Sequence, residues 1–151
     1  SEMCIRDSFK GSGISELTLP SFEIEISNDA FGYFSSGKVM ENIKLYSYVK
    51  PDVTVNYLSD TSCRLEWEKI PEASYYEVYQ KMSDGSYKLL KKTTSSKCRI
   101  NKLKNNKEYV FAVKATANIK AVEDEVSDEY IIYPEYYTIE VTRSDDVKVK
   151  I

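Results

Sequence analysis

The chain has 151 residues, 42% of them hydrophobic and 30% charged, which suffices for one ordinary domain with a further fragment or for two small domains. Its 21 basic and 24 acidic residues give a net charge of −3, which argues against a general nucleic-acid or anionic-membrane binder. Histidine is absent, so the commonest general base and metal ligand is missing, and 13 tyrosines against 5 glycines favour β structure.

The first residues and the cysteines carry little information. Residues 1–8 do not continue into the pattern that follows, and we interpret them as a non-native segment, with a short genuine strand as the alternative. Cys4, Cys63 and Cys98 show no paired metal-ligand spacing, and their odd number leaves the redox compartment open. No apolar run approaches the roughly 18 residues of a membrane-spanning helix.

The next segment shows signs of a repeat. Ile14, Leu17 and Leu19 form an apolar edge, and Phe31 repeats Phe9 after 22 residues. A period in the low twenties is typical of leucine-rich repeats, whose units cannot bury their apolar face alone.

The wording of this segment is similar to a known repeat. Its Ala-Phe pair, its small Gly/Ser turn and its strand ending in proline resemble the BspA-like bacterial surface repeat over residues 9–46. We therefore predict that residues 9–50 contain the last repeat of an array and a junction. An irregular β-hairpin that leads into the following domain is the alternative.

A β-sandwich pattern occupies residues 51–134. Strands with strict alternation of apolar and polar side chains recur there, Asp84-Gly85 marks a hairpin turn, and turns fall every 8–12 residues. Seven such strands predict an immunoglobulin-like sandwich, with its last strand at residues 126–133. The predicted structural core consists of Leu65, Trp67, Tyr76, Val78, Ile100, Leu103, Tyr109, Phe111 and Val113.

Several of these residues resemble a fibronectin type III domain. Trp67 stands in the second strand and Val78 in the third, while Leu103 is followed six residues later by Tyr109, as in the tyrosine corner. The phrasing is similar to domains of large wall-associated proteins of Gram-positive bacteria, so the resemblance implies a bacterial surface or extracellular setting. The integrin-binding Arg-Gly-Asp tripeptide is absent.

The resemblance also implies a place for two cysteines. It puts Cys63 and Cys98 on inward faces of adjacent antiparallel strands with an offset of four residues, which separates them by roughly 13 Å. Because a disulfide needs Cα atoms within about 7 Å, two buried free thiols are expected.

The tail from residue 135 to residue 151 alternates again in two short stretches. Two strands alone are marginal in water, so the tail is either the start of a further β module or a hairpin on an edge of the preceding domain. We favour the further module.

The charged residues cluster by sign. Eight basic residues and no acid lie between Lys88 and Lys107, and an acidic run follows at residues 123–129. The basic run either holds an anionic wall polymer or glycan, or forms a solvated surface that the acidic run partly neutralises, which we favour. The acidic run lacks the spacing of known calcium loops, so no metal site is predicted. The eight residues of the basic run are Lys88, Lys91, Lys92, Lys97, Arg99, Lys102, Lys104 and Lys107.

No set of residues indicates catalysis. The sequence has no phosphate-binding glycine loop and no nucleophile elbow, and Glu66 and Glu68 point outward from a strand. We predict a mainly β chain that is not an enzyme, needs no cofactor and is monomeric. It is expected to act as an adhesion or spacer module of a modular bacterial cell-surface or secreted protein, with a protein or cell-wall glycan as ligand and neighbouring modules of the same chain as partners. No nucleic-acid partner or membrane insertion is expected. The alternative function is an accessory module of an extracellular polysaccharide-degrading enzyme.

Overall fold

The computed structural model describes residues 3–5, 16–28, 30, 34–35, 44–122, 131–132, 135–141 and 143–151. These residues form β-strands and no α-helix, which confirms the mainly β fold class. They accordingly contain no helix that could cross a membrane. The strands are β1 (Met3–Ile5), β2 (Glu16–Leu19), β3 (Ile24–Ile26), β4 (Phe34–Ser35), β5 (Lys44–Ser47), β6 (Val53–Tyr57), β7 (Cys63–Trp67), β8 (Tyr75–Lys81), β9 (Tyr87–Thr93), β10 (Lys97–Ile100), β11 (Glu108–Lys120), β12 (Ile131–Ile132), β13 (Tyr136–Val141) and β14 (Val147–Lys150).

The chain divides into two compact units, each made of two segments. The first unit comprises Ser1–Tyr48 and Ala117–Glu140, and the second comprises Val49–Thr116 and Val141–Ile151. We call the second the sandwich unit. Its boundaries differ from the single segment 51–134 that the sequence pattern suggested.

The described residues of the sandwich unit form seven strands in two sheets. One sheet has the order β10-β7-β6, and in the other β8 lies between β9 and β11 while β14 pairs with β11. All of these pairs are antiparallel. Alternation along β7 buries Cys63, Leu65 and Trp67 on the inner face, where the Trp67 ring meets the Tyr76 ring of the other sheet edge-on at 5.3 Å. Burial of this shared face holds the two sheets together.

The last strand of the sandwich comes from the tail. Residues Val147–Lys150 pair with Glu108–Phe111, and Val149 is fully buried. The predicted last strand at residues 126–133 is described only at Ile131–Ile132, which pair with β4 instead. The tail was expected to begin a further β module or to form an edge hairpin, and both expectations are wrong, because β14 pairs with β11 and not with β13 and so supplies a strand of the sandwich unit.

An irregular stretch at residues 143–146 precedes β14. There the Ser144 hydroxyl accepts a hydrogen bond from the Val113 N–H at 2.9 Å, and the Ser144 N–H donates to the Val113 carbonyl at 2.8 Å. The buried serine side chain thus occupies an acceptor position that a regular strand would fill with a backbone carbonyl.

The first unit differs in its strand directions. β1 runs parallel to β3 with partners 21 residues apart, and β2 runs parallel to β5 with partners 28 residues apart. Val122 forms a parallel bridge to Ser27, and the Tyr137 hydroxyl donates to the Ser27 carbonyl at 2.8 Å. Its core is apolar and includes Leu19, Phe22, Ile24, Ile26, Leu45 and Ile139.

Of the two expectations about the N-terminal residues, one differs from the structure and the other lies outside the described residues. Met3–Ile5 form a strand and Ile5 is buried, whereas the sequence favoured a non-native segment there. Phe9, Ile14 and Phe31, on which the repeat period rests, lie outside the described residues.

Candidate functional site

Most of the predicted core residues lie in the interior of the sandwich unit. Leu65, Val78 and Val113 are fully buried, and Trp67, Tyr76, Leu103 and Phe111 are buried as well. Ile100 and Tyr109 are half-buried. These side chains form the scaffold and leave the outer sheet faces, the loops and the edges as places for a ligand.

The backbone hydrogen bond predicted for the tyrosine corner is present. The Tyr109 hydroxyl accepts from the Lys104 backbone N–H at 3.0 Å, and the Tyr109 ring stacks on Phe111 with 6.3 Å between centroids. Buried Leu103 follows Lys102, which adopts a positive φ of 60° at this turn.

We expect Tyr109→Phe to lower the free energy of unfolding by about 1 kcal/mol, because the ring contacts remain while one hydrogen bond is lost. Equilibrium urea denaturation followed by circular dichroism measures the change. Tyr57→Phe is the matched control, since Tyr57 is 52% exposed. An unchanged midpoint for Tyr109→Phe would show that this bond contributes nothing to stability.

The two cysteines of the sandwich are free and buried, but their offset differs from the prediction. Cys98 pairs with Leu65 and Ile100 pairs with Cys63, so the offset is two residues rather than four. Diagonal neighbours of this kind lie about 7–8 Å apart, which is close to the upper limit for a disulfide. The Trp67 N–H donates to the Ser96 carbonyl, so the register of these two strands differs from the one that the prediction assumed.

Burial raises the pKa of both thiols. For Cys63 the nearby Cys98 adds to the rise, and for Cys98 the positive charge of Lys91 opposes it. A thiolate is therefore disfavoured at both positions, which makes the native thiols poor nucleophiles.

We expect Ellman's reagent at neutral pH to titrate one thiol in the native chain and three after denaturation. The native signal comes from Cys4, which is exposed, whereas Cys63 and Cys98 react only on unfolding. Cys4→Ser should remove the native signal and leave the denatured signal of the other two. Rapid native labelling of Cys63 or Cys98 would contradict the burial described above.

The basic run is spread over β9, β10 and the loop between β10 and β11. All eight of its side chains are exposed, and none forms an ion pair with an acidic residue in the part of the chain that the structure describes. Lys92 lies over the Tyr75 ring at 3.9 Å and Lys107 over the Tyr109 ring at 5.2 Å. The acidic run that we expected to neutralise these charges falls outside the described residues.

A row of polar side chains crosses the outer face of the three-stranded sheet. Asn56 of β6 pairs with Arg64 of β7, and Arg64 pairs in turn with Arg99 of β10. The next row consists of Thr54, Glu66 and Lys97. We call these six residues the guanidinium face. Sequence reasoning noted Arg99 as part of the basic run but missed Arg64, because only strand pairing brings the two together.

Each arginine of the guanidinium face donates a hydrogen bond to the side chain two residues further along its own strand or the adjoining loop. Arg64 Nε donates to Glu66 Oε1 at 3.1 Å, and Arg99 Nε donates to Asn101 Oδ1 at 2.9 Å. No other hydrogen bond within the described residues engages either guanidinium group. The Nη groups therefore remain available as donors to a ligand.

The outer face of the other sheet carries a closed cluster. Asp146 accepts hydrogen bonds from the Tyr87 hydroxyl at 2.8 Å and from Lys81 at 3.0 Å, which lowers the pKa of its carboxyl group. The Arg143 guanidinium lies 3.7 Å from the centre of the Tyr87 ring. Because its groups bind one another, this cluster fixes residues 143–146 against β8 and β9 rather than offering free donors.

An open cleft of about 490 Å³ borders the same cluster. Its lining includes Met82, Lys107, Val110 and Lys148. The described residues contain no group of three or more side chains suited to hold a metal ion. Glu66, one of the two outward carboxylates considered from sequence, binds Arg64.

Comparison with known proteins assigns the chain to a family. The profile of GH85 endohexosaminidases, C-terminal domain, matches residues 51–130, which is more than half of the chain. The chain therefore belongs to this family of C-terminal domains. The matched residues form an accessory domain and not a catalytic domain, as the sequence predicted. No curated protein matches the chain significantly.

Solved structures with a similar fold include fibronectin type III domains. FN3tt is 24% identical over 60% of this chain and 89% of its own, with a TM-score of 0.40. A myokine structure is 20% identical over 67% and 94%, with a TM-score of 0.42. A fibronectin type III domain from the human KIAA0970 protein is 17% identical over 68% and 72%, with a TM-score of 0.44. The family match leaves residues 9–46 uncovered, so the leucine-rich-repeat interpretation stays a prediction.

Proposed function

We propose that the chain is a non-catalytic accessory module of an extracellular glycoside hydrolase of the endohexosaminidase type. The observation that carries this proposal is the match of residues 51–130 to the C-terminal domain of such enzymes. It favours the accessory-module alternative from the sequence over a general surface adhesin. The sandwich unit then serves as a rigid, stably folded appendage of a catalytic domain.

The interpretation of the first unit as part of a repeat array belongs to this proposal. Stacked repeats place equivalent strands side by side and parallel, and the pairing of β2 with β5 is of this kind. The two parallel pairs of the unit have unequal offsets of 21 and 28 residues and belong to different sheets. Both the accessory module and the repeat array fit a surface or secreted setting in bacteria, with a glycan as partner.

The reading frame that encodes the chain tests this function. We expect it to encode a glycoside hydrolase domain on the amino-terminal side of these residues. A long repeat array with a wall anchor and no hydrolase domain would favour the adhesion or spacer role instead. The biochemical counterpart is an assay of endohexosaminidase activity, in which the product of the complete frame is active and this chain alone is not.

A further inference from the structure

The guanidinium face contains an unfavourable charge arrangement. Arg64 and Arg99 are directly opposite each other on neighbouring strands, with about 4.5–5.5 Å between Cβ atoms for such pairs. Like charges directly opposite each other destabilise a sheet, and the Nε hydrogen bonds draw Arg64 towards Glu66 and Arg99 towards Asn101, on opposite sides of the pair. Glu66 compensates Arg64, whereas the acceptor that Arg99 binds among the described residues is the neutral amide of Asn101. The face therefore carries three cations and one carboxylate, and an anion placed between the arginines would relieve their repulsion.

The geometry points to a site for the carboxylate group of an acidic oligosaccharide on the guanidinium face, between Arg64 and Arg99. Each guanidinium is oriented through its Nε and presents a planar pair of Nη donors, which matches the two oxygens of a carboxylate. Three strands at about 4.8 Å spacing extend the row of Asn56, Arg64 and Arg99 over roughly 10 Å, the length of about two sugar units.

The other side chains of this face fit a sugar chain better than a protein or a nucleic acid. Thr54, Asn56 and Glu66 offer donors and acceptors to hydroxyl groups. None of the six residues is apolar or aromatic, whereas protein interfaces depend on apolar anchors and single-stranded nucleic acids on aromatic stacking. The choice of an oligosaccharide over another carboxylate rests on the proposed function.

Calorimetric titration of the complete chain with oligogalacturonate tests this inference, because each sugar of this probe carries a carboxylate. We expect binding that disappears when the carboxylates are methyl-esterified. Arg99→Gln should weaken binding at least about tenfold, as the loss of a charge-assisted bidentate hydrogen bond does. Arg99→Lys should weaken it nearly as much, since an ammonium group lacks the planar donor pair.

Two controls separate this site from charge alone and from misfolding. Lys88→Gln removes the same charge from an exposed residue of β9 and should leave the affinity within about twofold of the original, as expected of a distant surface charge. The thermal midpoint of Arg99→Gln without ligand should equal or exceed that of the original chain, because the substitution removes the repulsion with Arg64.

Four results would overturn the inference: no binding of oligogalacturonate, equal weakening by Lys88→Gln, tighter binding of polyglutamate, or binding of dextran sulfate alone. The proposed function can fail independently of these results. A reading frame without a hydrolase domain would refute the accessory role even if oligogalacturonate binds, and absent binding would leave the family assignment unchanged.

Discussion

Trp67→Ala is expected to lower the free energy of unfolding of the sandwich unit by about 3–5 kcal/mol. The side chain is only 6% exposed, and its ring packs edge-on against Tyr76 between the two sheets. Because domains of this size are stable by about 5–15 kcal/mol, the substitution removes a large share of the total. Equilibrium urea denaturation measured by circular dichroism suits this test, since Trp67 is the one tryptophan and its fluorescence is lost.

A second substitution separates the packing of Trp67 from its polar atom. Within the described residues, the buried Nε1 of Trp67 has no hydrogen-bond partner. Trp67→Phe therefore removes an unsatisfied donor while it keeps an aromatic ring, and we expect it to cost clearly less than Trp67→Ala. Tyr57→Ala, at a half-exposed position, should stay within about 0.5 kcal/mol. A cost for Trp67→Ala as small as that of Tyr57→Ala would contradict its place in the core.

Deleting residues 147–151 is expected to abolish the cooperative unfolding transition of the sandwich unit. These residues supply β14, which pairs with Glu108–Phe111, and the Ile151 carbonyl accepts from the Asn106 N–H at 2.9 Å. Their loss leaves one edge of β11 without its partner there and exposes the core where Val149 was buried. Thermal melting followed by circular dichroism, with amide spectra by NMR, shows whether a folded sandwich remains.

Two point substitutions on the same strand refine this test. Val149→Ala removes two methyl groups from a fully buried site and should cost about 2 kcal/mol, whereas exposed Lys148→Ala should change the midpoint little. If the truncated chain melts like the complete one, another segment closes the sandwich, and the strand predicted at residues 126–133 becomes the candidate.

The sequence by itself determined which residues face the interior. Alternation with a period of two is a local property, because successive side chains of a strand point to opposite faces. It therefore placed Leu65, Trp67 and Val113 inside from their neighbours alone. The Tyr109 hydrogen bond was likewise predictable, since its partner Lys104 lies five residues away within one turn.

Only the tertiary structure decided which strands are neighbours and in which register. Strands with alternating patterns at residues 126–133 and 147–150 were both suitable partners for β11, and the pairing depends on how the whole chain buries its apolar faces. The offset of the two cysteines and the opposition of Arg64 and Arg99 follow from the same register, which joins residues more than 30 positions apart. The guanidinium face therefore exists only in the folded sheet, because no local spacing in the sequence brings its two arginines together.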